Sequence, residues 1–149
     1  MMRRLPLLLL TILASLSLLV AACGSEQDLT APPITASVVV EPEAGGETWF
    51  RDISLPEGTD GYELLEAAVD GELEAEWYAE YRSHFVGSVL GVEPVGSEFW
   101  GVFVWDEGTS AWSPLPVGAD LYSVKEGHVM GWALVEYDAD SPQVPTSKP

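Results

Sequence analysis

Cys23 is the residue whose chemistry the sequence defines most narrowly. It is the single cysteine of the 149-residue chain, so no intramolecular disulfide can form. An apolar run from Leu5 to Val20 precedes it, with Arg3 and Arg4 ahead of the run and two small alanines after it. Positive charge, an apolar run and small residues, in that order, are typical of an export signal that is cleaved at its end. We therefore expect residues 1–22 to be a signal peptide that is cut before Cys23.

The tetrapeptide Val20-Ala21-Ala22-Cys23 resembles the bacterial lipobox. The resemblance implies that the Cys23 thiol receives a diacylglycerol group and becomes the new N-terminus. Each buried methylene contributes roughly 0.8 kcal/mol, so several acyl chains should hold the mature protein on a membrane. Lipidation would also remove the hazard of a lone thiol in an oxidising compartment. The alternative interpretation of residues 1–22 is an uncleaved signal anchor, or an ordinary secretory leader followed by an incidental cysteine.

The location implied by that anchor is the extracytoplasmic face of either the cell membrane or an outer membrane. Gly24 follows the cysteine, where an aspartate would resemble the signal that retains lipoproteins in the inner membrane. The sequence therefore leaves the choice of membrane open.

The charge of the chain is strongly one-sided. Six lysine and arginine residues stand against 24 aspartate and glutamate residues, and the formal net charge is −18. Loss of Arg3 and Arg4 with the signal peptide makes the mature chain more acidic still. Such a surface repels nucleic acid and anionic headgroups and favours cationic partners. Nucleic-acid binding is excluded on this ground.

Two histidines, His84 and His128, could form a zinc site with nearby acids such as Glu80 or Glu126. The chain lacks the His-x-x-x-His and Cys-x-x-Cys spacings, so we expect polar surface residues and no metal site. Nucleophilic catalysis has no better support, because no Gly-x-Ser-x-Gly turn is present and Ser88 has strand-like neighbours. The sequence therefore predicts a protein that is not an enzyme.

Trp105, Trp112 and Tyr122 are the candidate ligand-binding residues. Trp112 stands close to two prolines in the connection between the last strands, where we expect it to be exposed. An exposed tryptophan loop can grip a flat ligand or a protein partner. Trp100 and Trp132 are expected to fill the core instead.

The elements that must position these residues lie between two polar segments, a flexible tether over residues 23–37 and a disordered tail over residues 139–149. β-branched and apolar patterning predicts a strand hairpin over 37–41 and 47–55. A helix is predicted over 61–69, because Asp60 and Glu63 have the spacing of a capping box and Gly71 is placed to stop it.

The second half of the chain is predicted to be mostly strand. Apolar residues recur every four positions from 72 to 82, which allows a second short helix there. Strands are expected over 85–92, 98–105 and 128–137, with a long irregular connection from 106 to 126. The strand over 99–105 is apolar on both alternating faces, which suits a strand covered on both sides.

The order of these elements resembles the transcobalamin-like C-terminal domain family. The segments that carry the resemblance are Pro56–Thr59 leading into Tyr62–Ala68, the strands Phe85–Val89 and Phe99–Val104, and the stretch Gly118–Trp132. It covers residues 38–138 and implies an α+β, β-grasp-like fold, a small mixed sheet with one main helix across it. Where the family often has an Asn-Gly turn, this chain has Trp105-Asp106-Glu107-Gly108.

The resemblance implies a binding function, with cobalamin as one possible ligand, although no segment is long enough to form the helical domain that grips cobalamin in the animal carriers. The main hypothesis is therefore a non-enzymatic binding module for a small flat ligand such as a corrinoid. The alternative is a structural or adaptor protein that contacts another cell-envelope protein, with the acidic row of Glu72, Glu74, Glu76 and Glu80 facing a basic partner.

Overall fold

The first two strands form the predicted hairpin. We describe a computed structural model over residues 32–137 and 143–149. The predicted signal peptide, Cys23 and the first part of the tether lie outside the described residues. Strand β1 (Ile34–Glu41) pairs antiparallel with β2 (Thr48–Leu55). Because β1 begins at Ile34, the last four residues of the predicted tether belong to the sheet.

The predicted helix α1 (Gly61–Val69) forms with the predicted cap. The Asp60 carboxylate accepts from the backbone N–H groups of Tyr62 and Glu63, and the Glu63 carboxylate accepts from the Asp60 N–H at 3.0 Å. This reciprocal arrangement satisfies donors that the first helical turn leaves free. Leu64 and Leu65 are fully buried beneath the helix.

Three further strands, β5 (Glu98–Asp106), β6 (Ala111–Pro114) and β7 (Val129–Glu136), join the first hairpin. The five strands make one mixed sheet in the order β2-β1-β7-β5-β6. Strand β7 pairs parallel with β1 and antiparallel with β5. The predicted α+β class with one main helix across a mixed sheet is confirmed.

The sheet buries apolar side chains on both faces. The inner face packs against α1, and its largest members include Trp100, Met130 and Trp132. The outer face carries a second cluster formed by Val39, Phe103, Trp112, Ala133 and Val135, with Trp49 and Trp105 packed beside it. The prediction that β5 is covered on both sides is confirmed, and so is the placement of Trp100 and Trp132 in the core.

The second predicted helix is wrong, because residues 73–78 form a strand. Strand β3 (Leu73–Tyr78) pairs antiparallel with β4 (Ser83–Val89) as a separate two-stranded sheet. The apolar spacing of four was ambiguous, since pairing with β4 satisfies the backbone of this segment equally well and tertiary context overrides a weak helix preference. The turn between the strands places Arg82 in the left-handed region, with φ 51°.

The long connection after β5 is more regular than predicted. It contains β6, which pairs with β5, and a single 3₁₀ turn over Ala119–Leu121. The predicted disordered tail is wrong for residues 143–149, where Thr146 and Ser147 donate hydrogen bonds to the buried Glu41 carboxylate. Residues 138–142 lie outside the described part of the chain.

None of the helices within residues 32–137 and 143–149 is long and apolar enough to cross a membrane.

Candidate ligand-binding cleft

A cleft of about 650 Å³ lies between the β3–β4 hairpin and the segment that carries the 3₁₀ turn. The side chains around it are unusually apolar for a surface, and the five large ones are all exposed. They are Tyr78, Tyr81, Phe85, Val117 and Leu121. Apolar side chains gathered around a cleft are typical of small-molecule binding sites. The cleft is the strongest candidate for a binding site among the described residues.

The local sequence explains why these side chains stay outside the core. A two-stranded hairpin has only one face that it can turn toward the rest of the protein, so its other face stays in solvent. Tyr78 and Phe85 meet edge to face, with ring centroids 6.2 Å apart. Tyr81 lies in the turn itself and is 67 % exposed. The hairpin therefore presents a preformed aromatic wall.

Asp120 joins the two walls of the cleft. Its carboxylate accepts from Ser83 Oγ and from the His84 backbone N–H, each at 2.8 Å. The same carboxylate lies 2.5 Å from His84 Nδ1. A carboxylate held by several donors fixes the geometry of all of them. The 3₁₀ turn and the start of β4 therefore form a single rigid unit.

The His84 ring is held by aromatic neighbours as well. Tyr62, from α1, stacks on it with centroids 3.9 Å apart and ring planes 11° from parallel. Trp77 meets it edge on at 5.1 Å. The base of the hairpin is thus tied both to the helix and to the 3₁₀ turn, which limits how far the cleft can open.

The close approach of the two walls depends on Gly118. A β-carbon placed there would come within 2.1 Å of Ser83 Oγ and 2.5 Å of Ser83 Cβ. Gly118 has an ordinary backbone conformation, with φ −60°. The glycine is therefore required by space and not by backbone freedom.

Acid should weaken the link between the walls. Burial raises the pKa of Asp120, but the hydrogen bonds from His84 and Ser83 outweigh burial and leave that pKa lowered. A carboxyl whose pKa is lowered by folding stabilises the protein above its unfolded pKa, about 3.9, and loses this contribution as the pH falls through the folded value. As the pH falls below about 3.9, the free energy of unfolding should therefore decrease more steeply in the wild type than in Asp120→Asn. Urea melts of both proteins over the acid range measure the difference, and parallel curves would contradict it.

The structure separates the three residues predicted to bind ligand. Trp105 and Trp112 face each other across β5 and β6, with ring centroids 5.2 Å apart, on the outer face of the sheet. Trp112 is only 8 % exposed, and its indole N–H donates to the Ser147 carbonyl at 2.7 Å. The expected exposed tryptophan loop is therefore wrong, because Trp112 lies on a strand and is covered by the C-terminal segment.

Tyr122 lies elsewhere, in contact with the inner core. Its hydroxyl is 3.2 Å from His128 Nδ1, and the two rings stack with centroids 5.6 Å apart. Burial lowers the pKa of His128, and the nearby charge of Lys125 lowers it further. These contacts favour a neutral imidazole that helps to position the loop before β7.

The two histidines belong to different sites, one with Asp120 and the other with Tyr122. Glu126, an acid that could have joined His128 on zinc, accepts hydrogen bonds from Thr35 instead. No group of three or more potential metal ligands occurs within the described residues.

Sequence reasoning missed the cleft because it placed the first strand of the hairpin and the turn after it in a helix. Tyr78, Tyr81 and Phe85 are close together in the sequence, and this concentration of aromatic residues was the signal that could have indicated a binding surface. Val117 and Leu121 gave none, since only the tertiary structure brings the 3₁₀ turn against the hairpin.

Comparisons with known proteins bear on the fold. Neither the protein-family models nor the curated proteins give a match to this sequence. Among solved structures, haptocorrin in complex with Cbi is similar with a TM-score of 0.58 at 15 % identity, over 72 % of this chain and 26 % of that chain. A proposed metal-binding protein from Ruminococcus gnavus is similar with a TM-score of 0.54 at 19 % identity, over 69 % of this chain and 97 % of that one.

These likenesses define the class of fold. The domain has a transcobalamin-like α+β fold, as the order of its elements predicted. The chain spans about a quarter of the length of the haptocorrin it matches. The similarity thus concerns one domain of that larger protein.

Proposed function

We propose that this chain is a non-enzymatic binding protein whose cleft takes a small, flat ligand. The observation that carries the proposal is the exposed aromatic wall of Tyr78, Tyr81 and Phe85 facing Val117 and Leu121 across the cleft. Flat ligands gain contact area on such side chains, and a rigid wall reduces the entropy lost on binding. The hydrogen bonds that Ser83 and His84 donate to Asp120 hold the two walls of the cleft together and supply that rigidity.

A corrinoid is the first ligand to test. The haptocorrin of similar fold was solved with Cbi bound, which makes this class of ligand a reasonable choice for a domain of the same fold. The volume of the cleft, about 650 Å³, lies within the range of about 300–1,000 Å³ usual for small-molecule sites. The cleft is open to solvent, so we expect modest affinity.

Titration of the full-length protein with aquacobinamide tests this function. We expect saturable quenching of tryptophan fluorescence, since Trp77 meets His84, a residue that lines the cleft, with ring centroids 5.1 Å apart. Tyr81→Ala should raise the Kd about tenfold, equivalent to about 1.4 kcal/mol of lost contact. Tyr137→Ala is the matched control, because Tyr137 is also an exposed tyrosine, 80 % against 67 %, and does not line this cleft. Equal effects of the two variants, or no quenching at all, would exclude a corrinoid site here.

We further propose that the domain acts at the extracytoplasmic face of a membrane, held by lipid on Cys23. The support is the signal-like order of residues 1–22 and the lipobox resemblance. Cys23→Ser should leave the precursor uncut or release the protein, because the acylated thiol is absent. Fractionation of cells that express either form measures this. A mature-sized, membrane-bound Cys23→Ser protein would rule out the lipid anchor.

An adaptor role is the second candidate, and the exposed hairpin favours it. Strand β3 carries the exposed Glu74 and Glu76, and the Tyr78 hydroxyl donates to the Glu76 carboxylate at 3.1 Å. Mixed acidic and aromatic surface suits a basic protein partner. Recovery of a stoichiometric partner from native membranes in mild detergent, lost on Glu74→Lys with Glu76→Lys, would favour this role over ligand binding.

A further inference from the structure

A second, independent site lies on the outer face of the sheet, opposite α1. The feature that defines it is the buried carboxylate of Glu41, which is 3 % exposed. Thr146 donates to it through its backbone N–H at 3.0 Å and its hydroxyl at 2.5 Å. Ser147 donates through the same two kinds of group, each at 3.1 Å. One carboxylate thus recognises two consecutive hydroxyl-bearing residues.

The neighbouring residues recognise the segment by different means. The Trp112 indole N–H donates to the Ser147 carbonyl at 2.7 Å. Pro145 is the one buried residue of the segment 143–149. It lies over Gly131, where an added methyl would be 2.9 Å from Pro145 Cγ and 3.1 Å from Trp112 Cζ3. The bare backbone of Gly131 therefore makes room for the proline and the indole together.

These contacts have the character of peptide recognition. Proline-containing segments commonly bind in aromatic-lined grooves, where they lose little conformational entropy. Apart from Pro145, residues 143–149 are held by hydrogen bonds and not by burial. In this respect they resemble a bound peptide.

We propose that this outer face is a binding site for Pro-Thr-Ser peptide segments and that the C-terminal segment of the chain occupies it as an intramolecular ligand. The partner it fits is a segment with a proline followed by two hydroxyl residues, held by Trp112 and Glu41. A tethered ligand competes at an effective concentration that reaches the millimolar range for short flexible linkers. A free peptide should therefore bind the wild-type chain weakly.

The full-length variant Thr146→Pro tests the proposal, since it removes both the N–H and the hydroxyl that Thr146 donates. Hydrogen exchange should show residues 143–149 released while β1 and β7 stay protected. A labelled peptide Gln-Val-Pro-Thr-Ser-Lys-Pro should then bind Thr146→Pro at least about tenfold more tightly than it binds the wild type. Fluorescence anisotropy of the labelled peptide measures both affinities.

Two controls define the site. Adding Glu41→Gln to Thr146→Pro should weaken peptide binding about tenfold or more, because an amide offers one acceptor oxygen in place of two. A peptide with proline in place of its threonine should not bind. The proposal is overturned if the segment stays protected in Thr146→Pro, or if it is released and the peptide still does not bind. A wild-type dimer that the peptide dissociates would also overturn it, by assigning the site to the segment of a second copy.

Discussion

Replacing Leu64 with alanine should lower the free energy of unfolding by about 2–5 kcal/mol, the range for deleting a buried leucine side chain. Leu64 is fully buried between α1 and the inner face of the sheet. The cost combines lost apolar burial with the cavity that remains, and a small domain has little stability in reserve. Urea denaturation followed by tryptophan fluorescence measures the change.

Glu66→Ala is the matched control for that prediction. Glu66 is on the same helix but exposed, and alanine is also a good helix former, so the change should stay within about 0.5 kcal/mol. If Leu64→Ala cost no more than Glu66→Ala, α1 could not be packed on the sheet as described.

Gly118→Ala should have the second largest effect and should connect stability with binding. The added methyl overlaps Ser83, so the segment and the hairpin must separate. Overpacking of this kind typically costs about 1–3 kcal/mol. Separation would also lengthen the hydrogen bonds that Ser83 and His84 donate to Asp120, and it would change the shape of the cleft. We therefore expect both a lower free energy of unfolding and weaker binding of aquacobinamide.

The double variant Gly118→Ala with Ser83→Gly distinguishes this cause from others. Ser83→Gly removes the atoms that the new methyl would meet, at the cost of the hydrogen bond from Ser83 to Asp120. The two changes should therefore be non-additive, with the double variant more stable than the sum of the single losses predicts. Additive losses would show that the overlap at Ser83 is not the reason for the glycine.

Local signals in the sequence were sufficient for several elements. The capping box of Asp60 and Glu63 predicted the start of α1, since a cap depends on residues three apart. The strand over 99–105 was predicted because its residues are apolar on both alternating faces. This pattern lies within the segment itself, and the structure has a strand there. The resemblance carried by the segments within residues 38–138 correctly implied a transcobalamin-like α+β fold.

Other features were not predictable in this way, and the residues concerned show why. The spacing of Leu73, Trp77 and Tyr81 suits a helix or a strand, and pairing with β4 decided for the strand. Trp112 has the prolines of a loop around it, yet it pairs with Trp105 across two strands and is covered by Ser147, 35 residues later. Neither outcome is encoded within a short window of sequence.

The sequence by itself determined the acidic charge, the single cysteine with its signal-like leader, the helix cap and the α+β class, because each depends on composition or on neighbours along the chain. Only the tertiary structure decided where the aromatic side chains lie. It placed Tyr78, Tyr81 and Phe85 on one wall of a cleft and put Trp112 beneath the C-terminal segment. Contacts between residues far apart in the chain determine which apolar side chains are buried and which remain exposed.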